Sequence, residues 1–78
     1  MNAEEETRRI IETKRVIDKL ASLARNESFS EQGRLEAIAS LEHYVPTIHA
    51  VEALNALIDH SEQQFIVMAA IKALGHRM

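Results

Sequence analysis

Two stretches of this chain read as one helical unit written twice, 33 residues apart. The first is Ser28-Phe29-Ser30-Glu31 followed by Arg34 to His43, and the second is Ser61-Glu62-Gln63-Gln64 followed by Val67 to His76. At this offset Ser28 matches Ser61, Ala37 matches Ala70, Ile38 matches Ile71, Leu41 matches Leu74 and His43 matches His76. Leu35 pairs conservatively with Met68. A helical period in the low thirties marks stacked helix pairs, each too small to bury its apolar face alone. Such a surface is suited to holding another molecule.

The apolar spacing predicts four helices, at about 3–25, 29–43, 46–59 and 62–74, in a single domain covering residues 1–78. In the first, Ile10, Ile11, Val16, Ile17, Leu20, Leu23 and Ala24 fall on one side. Asn2 stands where it can cap this helix, and Glu4, Glu5 and Glu6 favour its positive end. The second helix is expected to start after Ser28, whose hydroxyl is placed to accept the Glu31 amide, with Leu35, Ala37, Ile38 and Leu41 inward. Pro46 suits the first position of the third helix, where its missing N–H would have no partner. Ile48, Val51, Leu54, Leu57 and Ile58 form the inward stripe of that helix. Ser61 with Gln64 repeats the capping spacing before the fourth helix, and Gly75 is placed to end it. Helix 1 also echoes helix 3 at an offset of 34, with Ile17, Leu20 and Leu23 matching Val51, Leu54 and Leu57.

The segment Ala70-Ile71-Lys72-Ala73-Leu74-Gly75 resembles the end of the first helix in HEAT-like repeats, especially the short kind named after phycobilisome lyases. Ala37 to Glu42 fits that pattern loosely, and the resemblance covers residues 28–78 better than the first helix. It implies an all-α fold of about four antiparallel helices stacked as a short HEAT-like superhelix, with a four-helix bundle as the alternative. It also implies a protein that binds other proteins along a stacked helical surface. The chain departs from the family pattern where Arg34 is matched by Val67.

Helix 4 is the anomaly. Phe65-Ile66-Val67-Met68-Ala69-Ala70-Ile71 is an unbroken apolar run, which surrounds a helix rather than lining one face. Either helix 1 folds back over it or a second chain covers it. Phe65, Met68, Ile71 and Lys72 are therefore the candidate partner-binding residues, since bulky apolar side chains dominate interface energies and methionine adapts its shape.

Charge and composition narrow the function. Residues 1–27 carry equal numbers of acids and bases, whereas residues 28–78 carry six acids against Arg34, Lys72 and Arg77. Nucleic-acid binding needs clustered positive charge, and the only stretch that approaches it, Arg8 to Lys19, has acids interleaved. The chain has no cysteine, no apolar run long enough to span a bilayer and an acidic opening unlike a secretory signal, which suggests a cytoplasmic protein. His43, His49, His60 and His76 lack the spacing of a metal site, and three of them fall near helix ends. No nucleophile elbow or glycine-rich phosphate loop is present. The expectation is a non-enzymatic protein-binding module without cofactor: an adaptor, an assembly factor or an inhibitor, including a phage-encoded or accessory one. A self-associating homodimer through helix 4 is the alternative, and a nucleic-acid binder through Arg8 to Lys19 ranks below both.

Overall fold

The structure, a computed structural model, describes residues 3–77, and these form four helices: α1 Ala3–Arg25, α2 Glu31–Glu42, α3 Ile48–His60 and α4 Gln64–Arg77. The cap expected of Asn2 lies outside the described residues. Within α1 the Thr7 hydroxyl donates to the Ala3 carbonyl, and Lys14 pairs with Asp18 one turn on.

Residue contacts at the helix ends set the topology. Arg34, in the first turn of α2, reaches the carbonyl of Ala24 in the last turn of α1, so α1 and α2 are antiparallel. Arg34 also lies over Phe65 near the start of α4, while Glu42 meets His76 near the ends of the same two helices. α2 and α4 therefore run parallel. In the same way Thr47 and His49 lie beside Arg9, Ile10 and Thr13, and Leu57 and His60 lie beside Arg25, so α1 and α3 are parallel. The molecule is two antiparallel hairpins, α1–α2 and α3–α4, laid side by side with α1 and α3 in one layer and α2 and α4 in the other. An up-down-up-down bundle would instead make α2 and α3 close neighbours; here they sit across the diagonal and touch little.

The core lies between the layers. Ile17, Ile38, Leu41, Leu54, Leu57 and Ile66 are its largest fully buried side chains. Each contributes on the order of 1.5–3 kcal/mol by leaving water. Ala24, Ala37, Ala50 and Ala70 are buried among them, and their small size lets the helices approach closely.

Several boundaries differ from the sequence expectation, each for a local reason. The α1–α2 turn is built on Asn26, whose side chain accepts the Ser28 amide at 2.9 Å. That turn uses Ser28, and the cap of α2 passes to Ser30, whose hydroxyl accepts the Gly33 amide at 3.0 Å. Pro46 does not begin α3. It sits in the turn after a cis Val45–Pro46 bond, with Val45 buried, and Thr47 occupies the cap position. Ser61 closes α3 and its hydroxyl accepts the Gln63 amide, while the Gln63 carbonyl accepts the Ile66 and Val67 amides in the first turn of α4. Gly75 does not end α4: it is helical, without positive φ, and the helix continues to Arg77.

The expected buried stripes also shorten. Ile10, Ile11 and Val16 of α1 and Ile48 of α3 are exposed. At ~1.5 Å per residue, the 23 residues of α1 span about twice the length of the 12 in α2. The N-terminal half of α1 therefore runs past the helix it packs on. Leu35 of α2 is only half-buried, and Arg34 is inside instead.

Candidate functional site

α4 forms one edge of the two-layer stack. Its inward face carries Ile66, Ala70 and Ala73, all buried, with Phe65, Ala69 and Leu74 packed partly against them. The apolar run does not make the helix buried all round, because α4 packs on α2 and α3 and its far side is left open. On that far side Met68 is 60% and Ile71 53% exposed, with Lys72 exposed beside them. Met68, Ile71 and Lys72 thus share one outward stripe, at the i, i+3, i+4 spacing of a helix face. Phe65 does not join it fully. Its ring is half-buried, lies beneath the Arg34 guanidinium and packs on the core.

The stripe has a sequence counterpart in α2. Ile38 and Ile71 occupy equivalent positions, yet Ile38 is 1% exposed. α2 is flanked by α1 on one side and α4 on the other, whereas α4 has only α2 and α3. Ile71 is thus apolar like its counterpart in α2 but lacks a helix over it among the described residues.

Arg34 is the residue that sequence reasoning missed. It is 4% exposed, the one charged residue among the buried side chains of the described chain. Its Nε donates to the Ala24 carbonyl at 2.9 Å, and its Cζ lies 5.5 Å from the Phe65 ring centroid. Its repeat counterpart is Val67, so an arginine in an otherwise apolar slot was the available signal. Arg34 lines a cleft of about 330 Å³ between the C-terminal ends of α1 and α3, together with Arg25, Glu27, His60, Ser61 and Glu62.

The histidines hold different places in the fold. His43 caps the C-terminus of α2, His49 is half-buried near the start of α3, and His60 is exposed at the end of α3. His76 Nδ1 lies 3.2 Å from Glu42, a pair that carries charge on both sides only when the imidazole is protonated. His43 and His76 match in sequence but play different parts, since α4 continues past the position where α2 stops. Among the described residues no group of three or more histidine, aspartate or glutamate side chains is placed to hold a metal ion. None of the described helices is long and apolar enough to cross a membrane.

Comparison with protein-family models, with curated proteins and with solved structures found no match to this chain.

Proposed function

We propose that this chain is a small, non-enzymatic, cytoplasmic protein-binding module with a short HEAT-like stack, which acts by occupying a partner protein's surface as an adaptor, assembly factor or inhibitor. The observation that carries this reading is the contrast between Ile38, enclosed, and Ile71, open, at equivalent positions of parallel helices. A helix laid on α4 as α4 lies on α2 would cover Met68 and Ile71, with Lys72 at the edge for a polar or acidic group. Exposed apolar side chains arranged on one face favour association, because burying them removes apolar surface from water.

The second reading, a homodimer through the same stripe, rests on the same exposed residues and separates cleanly by solution mass. Sedimentation of the purified chain across micromolar concentrations gives a constant monomer for a module that binds a different protein. A dimer that Ile71→Asp converts to a folded monomer supports self-association instead. Phe65→Asp is unsuited to this purpose, because Phe65 is part of the packing and its loss would disturb the fold.

A further inference from the structure

Arg34 has more hydrogen-bonding capacity than the chain uses. A guanidinium carries five N–H donors in a fixed fork, and only Nε–H meets an acceptor, the Ala24 carbonyl. The Nη hydrogens find no acceptor among the described residues. Among the described residues no buried side-chain nitrogen or oxygen lacks a partner, so the Nη groups keep contact with solvent, and Arg34 lines the open cleft although the residue as a whole is almost enclosed. The Nε bond to Ala24 anchors the guanidinium, and its Cζ lies over the Phe65 ring. The fork is thus held in place before anything binds.

The rest of the lining selects the ligand. Arg25 and His60 add basic groups, Ser61 adds a hydroxyl, and Glu27 and Glu62 bring two carboxylates, neither of which pairs with Arg34. Two carboxylates in the same lining disfavour a doubly charged phosphate. They tolerate a singly charged planar anion whose two oxygens meet the fork in parallel. We infer that the cleft between α1, α2 and α3 binds a carboxylate group through the Nη donors of Arg34. The inference does not depend on the outer face of α4, which lies apart from this lining.

The test is a titration of the full chain, followed by the Arg34 side-chain Nε–Hε resonance and by backbone amide shifts at Leu57 and Ser61. The probes are acetate, a blocked tripeptide with one glutamate side chain, the same peptide with glutamine, and inorganic phosphate. Acetate and the glutamate peptide should shift these signals saturably, and the glutamine peptide should not. Tighter binding of the peptide than of acetate would identify a protein segment as the source of the carboxylate, and equal binding a small carboxylic acid. Glu62→Gln, at an exposed position, should raise affinity by roughly twofold to fivefold by removing an opposing charge. Arg34→Lys should abolish saturation. A linear response, an equal response to the glutamine peptide, tighter binding of phosphate, or an affinity unchanged in Glu62→Gln would each overturn the inference. The Glu62→Gln arm stands even where Arg34→Lys fails to fold.

Discussion

The guanidinium of Arg34 bridges three helices: its Nε holds the Ala24 carbonyl at the end of α1, and its Cζ sits 5.5 Å from the Phe65 ring at the start of α4. Arg34→Met keeps much of the apolar stem but leaves the Ala24 carbonyl without this donor. The expected cost is about 1–3 kcal/mol, read from urea unfolding. A double-mutant cycle with Phe65→Leu should return a coupling of about 0.5–1 kcal/mol for the cation–ring contact. No coupling would mean that the two side chains are neighbours without mutual stabilisation.

The first turn of α2 is capped by Ser30. Ser30→Ala should lower stability by about 1 kcal/mol, while Ser28→Ala should stay within about 0.5 kcal/mol. Thermal unfolding of the two variants side by side checks this. The reverse order would place the start of α2 two residues earlier.

Gly75 lies inside α4, and a Cβ there would meet nothing within 4 Å. Gly75→Ala should therefore stabilise the chain by up to about 0.5–1 kcal/mol, through lower backbone entropy in the unfolded state. Gly33 gives the contrasting case. A Cβ there would come 2.6 Å from the Phe29 ring and 2.9 Å from the capping hydroxyl of Ser30, so Gly33→Ala should gain less than Gly75→Ala or lose stability. Melting temperatures of the two variants provide the comparison.

Ile38 and Ile71 are equivalent in sequence and opposite in environment. Ile38→Asp would bury an unpaired charge in the core and should prevent folding or cost more than about 4 kcal/mol. Ile71→Asp should change stability by no more than about 0.5 kcal/mol. Circular dichroism melts of the pair measure both at once.

The all-α architecture was legible because the 33-residue repeat and the helical apolar stripes agree. Leu54, Leu57, Ile38 and Leu41 all fall inside as their spacing requires. The helix starts were less legible. Ser28 and Ser30 are equally good caps in isolation, and the choice is made by the Asn26 side chain in the preceding turn. Ile10 was misplaced because α1 outruns the α2 it packs on, which a periodic pattern does not record, and Ile48 because it stands at the first residue of α3. The open face of α4 was visible as an excess of apolar residues around the whole helix. The Arg34 cleft was not, because an arginine one turn into a helix reads locally as a surface residue, and only the three-helix junction encloses it.

The measurement that bears most directly on the proposed function is affinity capture with the intact chain as bait, beside the double variant Met68→Asp/Ile71→Asp. Both baits must first show the same melting temperature. The expected result is a protein held by the natural chain and lost by the variant, with the loss reproduced between purified components. Recovery of the same protein at the same level by both baits would contradict it, since binding would then not use the outer face of α4.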